Sequence, residues 1–479
     1  MPNDCCCVRC KWVFKVKRNG VFRARLVACG YSQIAGVDYQ ENFAPVITDI
    51  TWRTLLVLML TFGYDGKLID IEVAFLHGDL EEDIYMDCPE GMESAKEDEC
   101  LQLQHTIYGL VQAARQFWKK LVSILKKIGF EGGQAGPCLM MRKDKKGVIF
   151  IGLYVDDCLC IGDATAIEGL ASELRSAGLQ VKDPEELKDY LSCKIHYDEG
   201  KKSAVLIQED LLRKMNKKFG DMVKNLTTYK MPGTPSVGLT CPEDKSWIID
   251  AGGHATYHSG VGMLLYLAKH TRPDIANAVR ELSKLNDCPT EHGFKEMKRV
   301  IKYVLDTRNK GLKFKPEQSK DFFNMFAYSD SDFAGDKDKR TSVSGFIIIV
   351  NGAPVSWKSK AQASVTLSSS EAEYVALSET AKEIKFIWML IKSMGFEVKL
   401  PITVRVDNIG AIFMSENITA SNRTKHVDIR FHFVNEMVEQ GFIEVIFIRT
   451  NENLADIFTK NVNTELGEAH HKEIIDKAH

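Results

Sequence analysis

Two carboxylates stand side by side at Asp156 and Asp157, inside a stretch from Val148 to Gly162 that reads VIFIGLYVDDCLCIG. Two apolar β-type runs flanking an acidic pair imply a hairpin with the carboxylates at its tip. Aspartate favours turns, so turn chemistry alone accounts for the residue type. Adjacent carboxylates nevertheless repel unless a cation relieves them, and a divalent metal would do so. A third acid is needed to hold two hard cations, and LIDIEVAFLHGDL offers Asp70 at the end of a short apolar strand. A second acidic set lies farther along: Asp330 ends an apolar strand, Glu373 opens a helix, Asp407 ends another strand, and Asp456 sits in a late helical stretch. Acids on element ends can converge on one metal-binding cleft. Ser370 and Glu373 also fit a capping box, in which the glutamate only reaches back to its helix start, leaving Glu371 as the next candidate ligand. Asp332 competes with Asp330 for the same role.

Three patterns of elements must position these acids. From Lys11 to about Ile195, short β-rich runs alternate with amphipathic helices such as the one carrying Leu121, Leu125 and Ile128. From about His196 to Lys320 the signal is mostly helical, as in GVGMLLYLAKH and FKEMKRVIKYVLDT. From Phe322 strands at FIIIVNG and ITVRVDN flank a long helix from Glu371 to Met394 that Gly395 stops. The stretch from Val462 to His479 is polar and expected to fray.

The bulk properties exclude several classes. At 479 residues, with roughly 150 residues per domain, about three domains are expected. Composition is that of ordinary globular material, 45% hydrophobic and 27% charged. The longest apolar runs fall far short of the ~20 residues that cross a bilayer, and no signal peptide opens the chain. An intracellular protein with no membrane partner is expected. Thirteen cysteines without a disulfide-framework spacing read as thiols. Cys5, Cys6, Cys7 and Cys10 form half a zinc-like cluster, but no matching pair follows at ligand spacing, so an accidental terminus is the preferred reading. Net charge is −3, which excludes a uniformly basic surface. A local one appears at Arg9, Lys11, Lys15, Lys17, Arg18, Arg23 and Arg25, where the choice is between a phosphate-binding patch and a solvated charged face.

Long motifs carry a resemblance. YVDD at 154 to 157 looks like the catalytic box of reverse transcriptases, and IDIEVAFLHGDLEEDIYM at 69 to 86 resembles the first acidic motif of copia-type retrotransposon Pol polyproteins. IYGLVQAARQFW at 107 to 118 and RARLVACGYSQIAGVDYQENFAPV at 23 to 46 are similar to two further segments of that family, in the same order. AYSDSDFAGDKDKRTSVSGF, SWKSKAQASVTLSSSEAEYVAL, VRVDN and NLADIFTK resemble its ribonuclease H domain, and YHSGVGMLLYLAKHTRPDIANAVRELSK from Tyr257 matches the segment between the two. The likeness runs from about Lys11 to Lys460. No protease, capsid or integrase motif is present, so a partial product is expected, with the nativeness of its first ten residues open.

The resemblance implies an α+β multidomain architecture: right-hand fingers and palm over 1–195, thumb and connection over 196–320, an α/β RNase H-like domain over 321–462, and a tail over 463–479. It implies an RNA-directed DNA polymerase that copies element RNA and degrades RNA in RNA/DNA hybrids. Its partners would be an RNA template, a DNA or tRNA primer and deoxynucleoside triphosphates. Its cofactor would be Mg²⁺, with Mn²⁺ as the alternative. The expected setting is cytoplasmic, in a virus-like particle, with a nuclear stage. Asp70, Asp156 and Asp157 would hold the metals of in-line attack by a primer hydroxyl on a nucleotide. Asp330, Glu373, Asp407 and Asp456 would hold those of hybrid cleavage. Arg25 and Arg23 match residues that grip the incoming triphosphate, Phe75 one that stacks under the sugar, and Gln112 one that lines the nucleotide pocket. Plain core for Phe75 and a surface polar role for Gln112 remain the alternatives. His426 and His432 match the family but fit packing or nucleic-acid contact. Val111, Ala114 and Cys193 depart from its usual residues, the last in a turn expected to grip the primer, and the histidine that many ribonucleases H carry before the last aspartate is absent from RTNENLAD. The rival reading is a decayed remnant that binds nucleic acid and catalyses nothing.

Overall fold

Strand alternation and helix amphipathicity organise the chain into two compact units, Met1–Trp52 with Tyr64–Glu186, and Arg53–Gly63 with Leu187–His479. The computed structural model describes residues 7–16, 20–92, 99–133, 136–235, 238–241, 249–317, 323–336, 339–416 and 425–478, without the side chains of 425–431.

In the first unit, a six-stranded antiparallel sheet has the order Glu185–Glu186, Asp65–Asp70, Asp157–Gly162, Gly147–Tyr154, Leu139–Asp144, Glu131–Gly132. The central strands bury both faces, which is why they read as near-continuous apolar runs: Ile149, Phe150, Ile151, Cys160 and Ile161 are all inaccessible to solvent. The helices Ala113–Lys127 and Ala164–Ser176 turn their apolar stripes inward, the first through Phe117, Leu121 and Leu125 and the second through Ile167, Leu170 and Leu174. A two-stranded ribbon, Cys10–Val16 with Phe22–Ala28, completes this unit. Cross-strand partners share a face, so its register sorts the residues strictly. Trp12, Phe14, Val16, Phe22, Ala24 and Leu26 occupy one face; Lys11, Val13, Lys15, Arg23, Arg25 and Val27 occupy the other.

The second unit holds two sheets and a helical layer. One sheet is antiparallel and ordered Asp189–Tyr190, Cys193–Tyr197, Ala204–Ile207, Lys310–Phe314, Ile475–Lys477. The other has the order Ala353–Ala361, Val343–Val350, Met325–Asp332, Ile402–Val406, Ile443–Phe447, antiparallel over its first three strands and parallel over the last two pairings. The long helix Ser369–Ser393 covers this mixed sheet with Ala372, Ala376, Leu377, Ala381 and Ile384. Helices Glu209–Val223, Ala251–His270 and Glu291–Asp306 share one apolar core around Phe219, Leu264 and Val300.

Three expectations are corrected. Residues 463–479 are not a frayed tail: Thr464–Ile474 is a helix whose Ile474 is fully buried, and Ile475–Lys477 pairs with Lys310–Leu312. The polar composition hid this because one helical face and one short edge strand need few apolar residues. The first unit ends at Glu186 and not at 195, because the strands from Asp189 onward pair within the second unit's sheet. The cysteines are not all thiols, since Cys241 and Cys288 form a disulfide with Cα atoms 6.0 Å apart. The bond from the Ile249 amide to the Pro289 carbonyl, 3.0 Å, ties the chain after Cys241 to the chain after Cys288.

The TRPDI motif is structural. Arg272 donates to both carboxylate oxygens of Asp274 at 2.9 and 2.8 Å and to Thr307 Oγ1 at 2.8 Å, while the Tyr303 hydroxyl donates to Asp274 Oδ2 at 2.9 Å. The side chains of Arg272 and Asp274 are 1% and 0% exposed. Breaking a buried, hydrogen-bonded pair leaves a bare charge in low dielectric. Asp274→Ala is therefore expected to cost about 3–5 kcal/mol in denaturant unfolding, whereas the joint replacement of Arg272 by Met and Asp274 by Leu costs less. An unchanged unfolding midpoint in Asp274→Ala would contradict the anchoring role.

Candidate active sites

Backbone register brings the first acidic set together. Asp70 is the last residue of its strand and lies directly opposite Asp157 on the neighbouring one, while Tyr154 pairs with Asp157 across the hairpin. Between them Val155 and Asp156 make the turn, and Val155 has φ = +54°. A β-branched residue in the left-handed region is strained, so the surrounding pairings hold it there. The amide of Ile71 donates to the Asp156 carbonyl at 3.0 Å, which ties the turn to the end of the Asp70 strand.

The electrostatics follow from that crowding. Burial, then Asp156 and Asp70, push the Asp157 carboxyl up to about 6, against the smaller opposing effect of Lys182. Lys182 forms an ion pair with Asp70 Oδ2, and its amide donates to the Asp70 carbonyl at 3.1 Å. Its hydrogen bond to Asp70 raises the Lys182 pKa. Lys182 was missed in the sequence, where VKDPEEL carries no acid-facing pattern; only the three-dimensional neighbourhood of Asp70 reveals it.

The residues matched to nucleotide contact form a chain of rings. The Arg25 guanidinium lies 4.2 Å from the centre of the Tyr108 ring, and Tyr108 meets Phe75 edge-on at 5.0 Å. Phe75 is half-buried, packed against the small core of Val8, Ala28, Ile84, Leu110 and Ala113. Arg23 is exposed on the same ribbon face as Arg25. Gln112 is only 1% exposed, so the surface alternative falls: its Nε2 donates to the Asp38 carbonyl at 2.8 Å, and Gln33 donates to its Oε1 at 3.1 Å. Lys17, Arg18, Cys5, Cys6 and the His426 side chain lie outside the described residues. His432 is exposed, and Cys193 is fully buried beyond a turn at Leu191 and Ser192, both with positive φ.

The second acidic set is gathered more tightly. One carboxylate oxygen from each of Asp330, Glu373 and Asp407 lies within 4.8 Å of the others; among the described residues this is the only trio of His, Cys, Asp or Glu so spaced, and Asp70, Asp156 and Asp157 do not reach it. Asp330 enters from the Met325–Asp332 strand, Glu373 from the first turns of the long helix, and Asp407 from the end of the Ile402–Val406 strand. Glu373 accepts from the Ser331 amide at 3.0 Å, and Asp407 from Thr450 Oγ1 at 2.7 Å. The capping alternative falls to another pair: Ser368 caps the helix by accepting from the Glu371 amide at 3.1 Å, and Glu371 reaches back to the Leu367 amide at 2.7 Å. Glu373 is thereby left for the cleft. Asp330 is buried where Asp332 is half-exposed, and Thr459 donates to Asp330.

Asp456 sits beside this trio on the short helix Asp456–Thr459, which packs onto the Val343–Val350 strand where Gly345 leaves room. A Cβ on Gly345 would stand 2.7 Å from Thr459 Cγ2 and 2.8 Å from Phe458 Cβ. Burial and then Asp330 push Asp456 up to about 7, while Lys460, paired to its Oδ1 at 3.0 Å, opposes the shift. Burial, Asp330 and Asp407 hold Glu373 well above the usual carboxylate range. Burial works against the Lys460 charge, but Asp330, Asp456 and Asp407 outweigh it and raise its pKa. Glu373 Oε2 and Asp456 Oδ2 are buried without a hydrogen-bond partner. Orphaned acid oxygens in an all-oxygen donor set fit a hard divalent cation such as Mg²⁺ or Mn²⁺.

An antiparallel palm-like sheet with acids on its central hairpin, then a mixed sheet with acids at three element ends, is the architecture of a right-hand polymerase followed by an RNase H-like domain. The family model for reverse transcriptase (RNA-dependent DNA polymerase) matches residues 1–234. The retrovirus-related Pol polyprotein from transposon TNT 1-94 of Nicotiana tabacum is 35% identical over 471 residues, 95% of this chain and 34% of that relative. The corresponding polyprotein from transposon RE1 of Arabidopsis thaliana is 34% identical over 472 residues, 96% of this chain and 31% of that relative. This chain belongs to the copia-type transposon Pol polyproteins, of which it represents a portion that includes the reverse transcriptase. It spans about a third of the length of the curated relatives it matches. Among solved structures, a foamy viral protease-reverse transcriptase in complex with RNA/DNA hybrid is 13% identical with a TM-score of 0.48, covering 92% of this chain and 50% of that one.

The shifted carboxyls imply a pH dependence with a definite sign. With divalent ions chelated, the folded chain keeps protons on Asp157 to about pH 6 and on Asp456 to about pH 7, whereas unfolded aspartates lose theirs near ~4. The folded state binds more protons across that window, so this stabilisation is full below the unfolded value and is lost as pH rises through 6 and 7. The melting temperature in chelator is expected to fall over this range, and Asp456→Asn to flatten the upper part of the fall. Added Mg²⁺ should restore more stability at the alkaline end, because binding displaces the protons. A flat or rising profile in chelator would contradict the assignment of these two groups.

Proposed function

We propose that the chain is an RNA-directed DNA polymerase with a separate ribonuclease H centre, its fingers and palm in the first unit, its thumb and connection in the helical layer, and its hybrid-cleaving site on the mixed sheet. The observation that carries this reading is the pairing of Asp70 with Asp157 beside Asp156, at the centre of a sheet whose sequence matches the reverse transcriptase family. Like charges placed directly opposite each other destabilise a sheet unless something of opposite sign belongs between them.

Asp70, Asp156 and Asp157 would hold Mg²⁺ at the polymerase centre, and Asp330, Glu373, Asp407 and Asp456 at the second. Bound there, the metal supplies Lewis acidity that lowers the pKa of the attacking hydroxyl or water and neutralises charge on the leaving group. The chain's own residues supply position. The hairpin register sets the spacing of Asp70 and Asp157, and the ribbon's basic face, with Arg23 and Arg25, would meet the triphosphate. Tyr108 buttresses both Arg25 and Phe75, so the cation and the sugar-facing ring are held as one assembly. Template, primer and hybrid are the proposed partners.

The two centres use different acids, so each should be separable by one isosteric change. Asp156→Asn is expected to abolish primer extension and leave RNA cleavage in a hybrid near normal; Asp407→Asn should do the reverse. Loss of both activities in either variant would count against independent centres. Absence of metal-dependent extension by the unmodified chain would refute the polymerase reading itself.

Phe75 tests the nucleotide pocket. If its ring packs beneath the deoxyribose, a 2′ hydroxyl is excluded by close packing, at a cost of roughly 1–3 kcal/mol. Phe75→Val should then raise ribonucleotide relative to deoxynucleotide incorporation by on the order of ten- to a hundredfold. A core role instead lowers stability and all activity together, with the ratio unchanged. Kinetics on both sugars beside a melting curve decide between them.

A further inference from the structure

Lys460 is the cation of the second cleft. It follows Thr459 at the end of the short helix, and its ammonium pairs with Asp456 Oδ1 at 3.0 Å, one helical turn away. Its charge acts on both Asp330 and Asp456, opposing the upward shift of each. The other cations nearby are committed elsewhere: Arg280 pairs with Glu281 at 2.6 Å, and Lys284 with Glu281 at 2.9 Å and Asp336 at 3.0 Å. The segment from Ile448 to Asp456, IRTNENLAD, contains no histidine, so no imidazole precedes the last acid there. Asp456 is 1% exposed and the Lys460 side chain 42% exposed, so the lysine lies between the buried acid and solvent.

We infer that Lys460 is a catalytic residue with two successive partners: it neutralises Asp456 while the cleft is empty of metal, and when Asp456 becomes a metal ligand its ammonium turns to a non-bridging oxygen of the phosphodiester at the cleavage position. The inference rests on the ribonuclease H reading above and concerns electrostatic contact alone; it adds no bond-making step. Charge dictates the exchange. In the empty cleft crowding leaves some of the four acids holding protons, and the single ammonium offsets part of the negative charge that remains. Two divalent ions would cancel the four acids and leave the ammonium without a reason to face them, whereas the phosphate entering beside it carries a fresh negative charge. The pair with Asp456 is a single contact, and a metal ion bound to Asp456 would take over the neutralisation of that buried carboxylate, which frees the ammonium.

The test uses the full chain, a short RNA/DNA hybrid, and the variants Lys460→Met and Lys460→Arg. With Ca²⁺ in place of Mg²⁺ to hold the hybrid uncut, Lys460→Met is expected to weaken hybrid binding and to lower the slope of log Kd against log salt by about one ion, as for the loss of one phosphate contact. Without nucleic acid, Ca²⁺ titrated calorimetrically should bind Lys460→Met more tightly than the unmodified chain, because a competing cation has gone. In Mg²⁺, single-turnover cleavage should fall roughly a hundred- to a thousandfold, a range set by the loss of one charge-stabilising donor, and Lys460→Arg should recover most of it. A purely structural lysine predicts the opposite metal result, with Ca²⁺ bound more weakly in Lys460→Met, and that outcome overturns the proposal. So does an unchanged salt slope with an unchanged cleavage rate. Failure of the unmodified chain to cut or bind the hybrid strikes the ribonuclease H reading instead and leaves a distinct signature, since all variants then behave alike.

Discussion

Repulsion between carboxylates is the constraint around which both units are built. In the first, the ladder sets Asp70 opposite Asp157 and leaves Asp156 in a turn beside them. No preference of the acids themselves would choose that register. It is imposed by the apolar strands on either side, which are buried on both faces: Ile149 and Ile151 share one face with Cys160, Phe150 shares the other with Leu159 and Ile161, and a slip of one residue would exchange two differently packed faces. Burial of those residues therefore fixes the acids in an unfavourable arrangement, and the strain at Val155 is a further sign that the local conformation is imposed and not relaxed.

The second unit meets the same difficulty with different means. There the acids come from separate elements, so no single register sets their spacing. The cap that fixes the start of the long helix is made by Ser368 and Glu371, which keeps Glu373 out of capping and turns it toward Asp330. Gly345 lets the Asp456 helix approach a strand at backbone distance. Lys460 then offsets part of the accumulated charge, as Lys182 does beside Asp70. Two unrelated architectures thus arrive at acids partly neutralised by one lysine.

Motif and periodicity made much of this legible. The YVDD hairpin, the strand ending at Asp70, the strands and helix of the last domain and all seven acids are visible in the sequence because each is local: an apolar run, then an acid, then a break. What stayed hidden is what depends on distant partners. Lys182 meets Asp70, and Tyr108 joins Arg25 to Phe75, only through the fold. The Cys241–Cys288 bond has no spacing to advertise it. The helix and strand after Thr464 looked like a solvated end because their contribution is one buried face against a sheet built elsewhere. The capping box was visible as a pattern but ambiguous in register, since serines at 368, 369 and 370 offer three starting points and only the first is used.

That late strand has a consequence for how the molecule is made. Lys310–Phe314 lies between Ala204–Ile207, which precedes it, and Ile475–Lys477, which is synthesised long after it. While the chain is still being translated, one edge of Lys310–Phe314 presents open amide and carbonyl groups for as long as the whole mixed sheet takes to emerge. An open edge is a template for pairing with other strands. The nascent protein therefore passes through an interval in which its neighbours on a polysome, each with the same uncapped edge, compete with its own unfinished end, and crowding of ribosomes on one message would set how often the wrong strand arrives first.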